Sequence, residues 1–202
     1  MLVILFFQEE IMESLKQKIL NEGRVKDGKI LKVDNFLNHQ LDIEFLNEIG
    51  KEFKSLFSDV KIDKILTIEA SGIAIASITS QHFGNVPVVF AKKAKSQNLD
   101  GECFTSTVHS YTYGKDFTIT VAQKFIKPGE NVLVLDDFLA EGQAIRGLMD
   151  VLKQAKANIQ GVGIVIEKGF QSGGKYLREQ GIRLESLCII DSMDGGNLTF
   201  RN

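Results

Sequence analysis

The sequence lacks several features that would assign it to particular protein classes. Its 202 residues include no tryptophan, only two prolines, two cysteines and three histidines. The two cysteines, Cys103 and Cys188, are far apart and form no Cys-x-x-Cys motif. This excludes a disulfide framework, and we expect no zinc site. Unpaired cysteines are typical of the cytoplasm, where we expect the protein to act.

No charge of one sign predominates either. The chain has 24 Lys and Arg against 26 Asp and Glu, which gives a formal net charge of −2. A nearly balanced charge provides no general attraction to nucleic acid or to an anionic membrane, and we expect neither as a partner. Any polyanionic ligand must therefore be bound by a local arrangement of groups.

The apolar run at the N-terminus, residues 1–7, makes a poor targeting segment. No basic region precedes it, it is shorter than a signal-peptide core, and Gln8-Glu9-Glu10 follows where small residues would be needed for cleavage. We expect residues 1–11 to be a non-native extension and the functional protein to begin at Met12. The alternative is a short ordered strand. Peptides from residues 1–11 in mass spectra of the native protein would contradict our expectation.

The rest of the chain has the pattern of one α/β domain with a single core, since 44% of its residues are apolar. Apolar residues at helical spacing predict surface helices at 12–20 and 42–57. Further strands are expected at 65–68, 86–91, 132–135, 162–166 and 187–190, alternating with helices at 72–82, 142–157 and 175–180. Apolar strands separated by helices indicate a doubly wound, mostly parallel sheet covered on both faces.

A polar insertion, residues 92–115, interrupts this alternation and leads into an apolar strand at 117–121. Long insertions within compact domains are usually functional, so we predict a lid or β-arm. Lys92, Lys93 and Lys95 would give it local positive charge. A solvated face is the alternative.

The most informative segment is residues 132–144, where an apolar strand is followed by Asp136, Asp137 and a turn with Gly142. Ligands bind at the carboxyl ends of parallel strands. A turn that opens a helix can hold a phosphate through backbone N–H groups alone. Since two adjacent carboxylates are costly without a ligand or cation, we expect a ligand site with a phosphate at the turn and hydroxyls or a metal at the acids, rather than a capped, solvated turn.

This segment resembles the phosphoribosyl-diphosphate signature of the type I phosphoribosyltransferases. Four more segments resemble the same family, in particular its bacterial members that use xanthine: residues 31–40, 67–74, 87–91 and 165–171. The resemblance implies one domain over 12–202, with a doubly wound sheet, a flexible β-arm lid, and a small hood formed by segments near 30–40 and 167–202.

The resemblance also implies a role for each segment. Asp136 and Asp137 would be the catalytic pair that holds the ribose hydroxyls. The phosphate turn (residues 140–144), the diphosphate turn (residues 69–72) and the arm would supply the other contacts to phosphoribosyl diphosphate, namely Ala140, Glu141, Gly142, Gln143, Ala144, Glu69, Ala70, Ser71, Gly72 and Lys92. Glu141 departs from the family pattern, which has a small or neutral residue there. Its carboxylate would repel phosphate unless it points outward.

The base pocket implied by the resemblance contains Leu31, Asn38, Lys168 and Phe170. Phe170 would stack on the base, and Lys168 would contact its 6-oxo edge, which favours 6-oxopurines over adenine. Asn38 could pair with the 2-oxo group of xanthine. On spacing alone, Lys168 could instead be an exposed lysine and Asn38 a turn-forming residue.

The implied activity is purine salvage, in which phosphoribose is transferred from phosphoribosyl diphosphate to xanthine by a homodimer. Mg²⁺, held mainly by the diphosphate, would be the cofactor. Two kinds of alternative stay open. One is a guanine, hypoxanthine or adenine phosphoribosyltransferase. The other is a phosphoribosyl-diphosphate-binding transcriptional regulator, for whose added DNA-binding domain residues 1–30 are too short.

Overall fold

The computed structural model describes residues 2–26, 30–93, 101–110 and 115–201. Its helices are α1 (Leu2–Glu22), α2 (Ile43–Leu56), α3 (Ser71–His82), α4 (Gln143–Ala155) and α5 (Ser172–Glu179). Its strands are β1 (Arg24–Lys26), β2 (Ile30–Lys32), β3 (Lys64–Ile68), β4 (Val88–Ala91), β5 (Cys103–Ser110), β6 (Lys115–Ala122), β7 (Asn131–Leu139), β8 (Asn158–Lys168), β9 (Leu184–Ser192) and β10 (Thr199–Phe200).

Six strands form a central sheet in the order β10-β9-β8-β7-β3-β4. All neighbouring pairs are parallel except β10 with β9. The predicted doubly wound, mostly parallel sheet is thus confirmed. The chain moves from β3 to β4 on one side and returns to place β7 on the other side of β3. The carboxyl ends of β3 and β7 therefore meet at a topological switch point, where open α/β sheets bind their ligands.

Each face of the sheet is covered by helices, because successive strand residues point to opposite faces. Leu133 and Leu135 pack into a core with α1, α2 and α3. Val132 and Val134 pack into a second core with α4, α5 and the β5–β6 ribbon. The middle of β7 is consequently buried from both sides, which fixes the position of the residues that follow.

The polar insertion forms the predicted β-arm, in which β5 and β6 pair antiparallel from Cys103↔Ala122 to Ser110↔Lys115. The arm packs on α4, where a Cβ added to Gly147 would lie 2.5 Å from Val108 Cγ2. Only glycine fits this close approach. The remaining parts of the predicted lid, residues 94–100 with Lys95 and residues 111–114, lie outside the described residues.

The hood consists of the β1–β2 ribbon and a π-helical turn over Asp34–Asn38. Its C-terminal part is smaller than predicted, since β9 lies in the central sheet and the turn Asp194–Gly196 is what contacts β1. Helix α1 begins at Leu2, so residues 2–11 continue a helix and do not form a strand. That residues 1–11 are non-native stays a prediction. Among the described residues, no helix combines the length and hydropathy needed to cross a membrane.

Candidate active site

The two adjacent acids lie within the last part of β7, which extends to Leu139 and not only to Leu135. Asp136 is 5% exposed and Asp137 is 8% exposed. Asp136 Oδ1 accepts a hydrogen bond of 3.0 Å from the Asp137 backbone N–H. Burial, followed by the charge of Asp137, raises the pKa of Asp136 well above its ordinary value. The protonated form of Asp136 is therefore favoured in the folded protein.

The diphosphate turn connects β3 to α3 and lies directly against this acid pair. A Cβ added to Gly72 would lie 2.0 Å from Thr67 Oγ1 and 3.2 Å from Asp136 Oδ1. Any side chain at position 72 would therefore collide with the strand or the acid. The peptide bond between Glu69 and Ala70 is cis. The structure thus brings together the acid pair and the diphosphate turn predicted from separate segments.

The phosphate turn connects β7 to α4. Gly142 adopts a left-handed conformation with a φ of 77°, which favours glycine. A Cβ at this position would also lie 3.1 Å from Gly173 Cα. The turn therefore opens directly into the N-terminus of a helix of 13 residues, an arrangement that favours a bound phosphate.

Glu141, the acidic residue of the phosphate turn, directs its carboxylate to α5. Its Oε2 accepts a hydrogen bond from the Ser172 hydroxyl. The carboxylate therefore points away from the turn, as we expected it to do if a phosphate binds there.

A cavity of about 470 Å³ joins the phosphate turn to Lys168. Its remaining lining comes from the hood, the arm, β7 and the segments beside them: Ile30, Val108, His109, Phe117, Phe138, Leu139, Ile145 and Gln171. The volume and the mixture of apolar walls with few polar groups suit a small ligand. The cavity extends from a predicted phosphate site to a predicted base-binding lysine.

Two of the four predicted base-binding residues lie at the site. Lys168 borders the cavity, and burial lowers its pKa. Asn38 Nδ2 donates a hydrogen bond of 3.2 Å to Asp137 Oδ2, which links the hood to the acid pair. Phe170 is 45% exposed and is not part of the cavity wall.

Leu31 is buried in the core, and its neighbour Ile30 lines the cavity instead. The physical reason is the alternation of side chains along β2. Sequence reasoning missed Ile30 and Phe138, which provide the apolar wall. The signal for Phe138 was its position directly after the acid pair.

Lys92 and Lys93 follow β4 and make different contacts. The backbone of Lys92 exchanges hydrogen bonds of 3.0 and 2.9 Å with Thr120, and Lys92 borders a separate cleft beside Phe90. Lys93 donates its backbone N–H to Glu69 Oε1 at 2.5 Å, and its positive charge acts to lower the pKa of Asp136. The role of Lys92 in binding phosphoribosyl diphosphate stays a prediction, and Lys93 is a second candidate for it.

A buried ion pair supports the strand end that carries Lys168. Glu167 is 1% exposed and accepts hydrogen bonds of 2.7 and 2.8 Å from Arg178 and one of 2.5 Å from Ser186. Burial acts to raise the pKa of Glu167, but these hydrogen bonds and the arginine charge outweigh it and hold the pKa below its usual value. The sequence showed only an acid within an apolar strand, because its partners lie far along the chain.

We expect Asp136→Asn to stabilise the protein by roughly 1–3 kcal/mol at pH 8, the scale of the desolvation penalty of a buried polar group, and by less at pH 5. Because the pKa of Asp136 is raised on folding, its protonated form favours the folded state, and this contribution is lost as the pH rises through the folded-state pKa. Urea unfolding at both pH values measures the difference. Asp150→Asn, at an exposed position of α4, should show no such pH dependence. Equal gains at both pH values for Asp136→Asn would contradict the prediction.

Comparisons with known proteins identify the family. The phosphoribosyl transferase domain model matches residues 32–190. The xanthine phosphoribosyltransferase of Clostridioides difficile is 57% identical over 190 residues, which cover 94% of this chain and 100% of that protein. The xanthine phosphoribosyltransferase of Bifidobacterium longum is 52% identical over 193 residues, with coverages of 95% and 100%.

Among solved structures, the adenine phosphoribosyltransferases of Thermoanaerobacter pseudethanolicus and Giardia lamblia match with TM-scores of 0.72 and 0.73. Their sequence identities are 21% and 22%; the first match covers 88% of this chain and 98% of that one, the second 87% and 96%. At these identities the likeness shows the fold. Together with the domain match and the sequence relatives, it places the chain in the phosphoribosyltransferase family.

Proposed function

We propose that this protein transfers 5-phosphoribose from phosphoribosyl diphosphate to xanthine, giving xanthosine 5′-monophosphate and diphosphate in purine salvage. The observation that carries the proposal is the meeting of the acid pair and the two turns at the switch point of the sheet, in reach of a cavity that extends to Lys168. The relatives at 52–58% identity are named xanthine phosphoribosyltransferases, which supports xanthine as the base.

The phosphate turn would bind the 5-phosphate through the backbone N–H groups of residues 140–144 and the N-terminus of α4. Asp136 and Asp137 would orient the ribose by accepting hydrogen bonds from its hydroxyls. Asp136, whose raised pKa favours the protonated form, could also donate one. The ribose would then lie at the carboxyl end of β7 with its reactive carbon facing the cavity.

The diphosphate turn would receive the leaving group, with Lys93, whose backbone N–H binds Glu69 of that turn, as a nearby positive charge. Bound Mg²⁺ would neutralise charge on the diphosphate as it departs. Within the described residues, no group of three or more His, Cys, Asp or Glu side chains is arranged to hold a metal ion. The ion would be held mainly by the diphosphate, with Asp136 and Asp137 as protein carboxylates of the site.

The base would lie between the apolar walls of Ile30 and Phe138. Lys168 would donate to the 6-oxo group, and the second amide N–H of Asn38 or its reoriented side chain would reach the 2-oxo group. A donor at the 6-oxo edge meets the amino group of adenine as donor against donor, which disfavours that base.

The reaction would form a bond between a ring nitrogen of xanthine and the anomeric carbon of the ribose. The carbon–oxygen bond to diphosphate breaks, its electron pair leaves with the diphosphate, and the nitrogen loses its proton. Positive charge develops on the sugar, and the Asp137 carboxylate would stabilise it. No covalent enzyme intermediate is required.

The proposal includes a homodimer that acts in the cytoplasm. Phe90 and Phe125, which are 38% and 47% exposed, border an apolar cleft beside the edge strand β4. Exposed aromatic residues of this kind are typical of surfaces that subunits bury.

The defining experiment supplies phosphoribosyl diphosphate, Mg²⁺ and an equimolar mixture of xanthine, guanine, hypoxanthine and adenine. We expect xanthosine monophosphate to be the main product by chromatography, because Asn38 and Lys168 match both oxo groups of xanthine. Reactions without Mg²⁺ are the control. Preferential formation of adenosine monophosphate would refute the assignment.

We expect Asp137→Asn to lower kcat by about 100-fold, the usual scale for losing one positioned electrostatic group. The change preserves shape, and asparagine can still accept the hydrogen bond from Asn38, so the unfolding midpoint should change little. Steady-state kinetics and thermal unfolding measure the two effects, with Asp150→Asn as the matched control. Full activity in Asp137→Asn would mean that the ribose is bound elsewhere.

We expect Lys168→Met to raise the KM for xanthine by about tenfold, the effect of losing one charged hydrogen bond, while the KM for phosphoribosyl diphosphate stays nearly constant. Methionine fills a similar volume, so packing is preserved. Initial rates at varied concentrations of each substrate separate the two constants. Lys175→Met, at an exposed position of α5, is the control. A parallel rise in both constants would argue against a role in base binding.

A further inference from the structure

Glu141 presents an electrostatic problem in the phosphate turn. The backbone of residues 140–144 and the N-terminus of α4 form a site that favours an anion. A carboxylate that turned into this site would compete with the phosphate for the same N–H groups and repel it. The turn can serve a phosphate only if another group keeps this carboxylate away.

The structure supplies such a group in Ser172. Its hydroxyl donates a hydrogen bond to Glu141 Oε2. Ser172 is the first residue of α5, where the partial positive charge of a helix N-terminus also favours a carboxylate. Both interactions draw the acid toward α5 and out of the phosphate turn.

The beginning of α5 is held tightly against the turn, so the backbone that carries the Ser172 hydroxyl is fixed beside Glu141. Gly173 donates its backbone N–H to the Ala140 carbonyl at 3.0 Å. A Cβ added to Gly173 would lie 2.4 Å from that carbonyl oxygen and 2.7 Å from the Gly142 nitrogen. The two backbones touch without an intervening side chain.

The same helix is fixed a second time, on β8. Arg178 binds the buried carboxylate of Glu167, and a Cβ at Gly174 would overlap that carboxylate. The position of Ser172 is therefore determined by contacts that do not involve Glu141. The Ser172 hydroxyl can therefore hold the Glu141 carboxylate in one orientation.

We propose that Ser172 is a positioning residue for phosphoribosyl transfer, which holds the Glu141 carboxylate against α5 so that the phosphate turn can accept a doubly charged phosphate. The inference rests on the proposed function of the turn. It assigns to a residue outside the turn a specific effect on the affinity for the 5-phosphate.

Calorimetric titration with ribose 5-phosphate tests the phosphate turn separately from base binding and chemistry. We expect Ser172→Ala to bind ribose 5-phosphate about three- to tenfold more weakly, the range for a partly screened charge interaction. Glu141→Gln, which removes the repelling charge, should bind it more tightly than the unmodified protein. In the Glu141→Gln background, Ser172→Ala should have no further effect.

Kinetics supply a second readout. Ser172→Ala should raise the KM for phosphoribosyl diphosphate, with little change in kcat or in the KM for xanthine. Ser172→Thr, which keeps the hydroxyl at an exposed position, should restore the original KM. Ser77→Ala removes an exposed hydroxyl that bonds only within α3 and is the matched control. Thermal unfolding of each variant monitors the fold.

The double variant decides between positioning and a merely structural role. If Ser172→Ala weakens binding equally with and without Glu141→Gln, or does not weaken it at all, the inference is overturned while the phosphate turn stands. If the unmodified protein does not bind ribose 5-phosphate, the assignment of the turn fails and the inference fails with it.

Discussion

The site depends on the contact between the diphosphate turn and the acid pair at the switch point of the sheet. At Gly72 the backbone approaches Thr67 and Asp136 so closely that no side chain could be accommodated. Because β3 and β7 are adjacent parallel strands, their carboxyl ends are brought together by the same hydrogen-bond register that stabilises the sheet. The geometry of the site is thus a direct consequence of strand order.

Helix α5 connects the phosphate turn to the end of β8, which carries Lys168. Its first residues touch the phosphate turn, and Arg178 near its other end neutralises the buried Glu167 next to Lys168. This helix of eight residues therefore contacts both the phosphate end of the cavity and the strand at its proposed base end. Removing the arginine would leave a carboxylate buried without its partner, which is costly in a protein interior.

The sequence predicted the regular elements well, because strand and helix periodicities are local properties of the chain. The strands around 65–68 and 132–135 and the helix at 42–57 occur within a few residues of their predicted limits. The acid pair and its turns were recognisable for the same reason, since each is a continuous segment at the end of an apolar strand.

The sequence is least informative where one residue of register or a distant partner decides which side chains line the site. The roles of Leu31 and Lys92 stay predictions. The cavity wall contains Ile30, and the charge of Lys93 acts on Asp136, because in a short extended segment no periodicity shows which face is inward. The partners of Glu167 come from α5 and β9, and the bond between Asn38 and Asp137 joins residues 99 positions apart. Such contacts depend on the tertiary fold and leave no local pattern.

Two neighbouring side chains at the end of β8 have different surroundings. Glu167 faces inward to an ion pair that holds the strand in place, whereas Lys168 borders the cavity. Substitution of Lys168, the residue proposed to contact the base, therefore leaves both residues of the Glu167–Arg178 ion pair in place. For the same reason, a natural substitution at position 168 could alter the base that is bound without removing the ion pair that holds the strand in place.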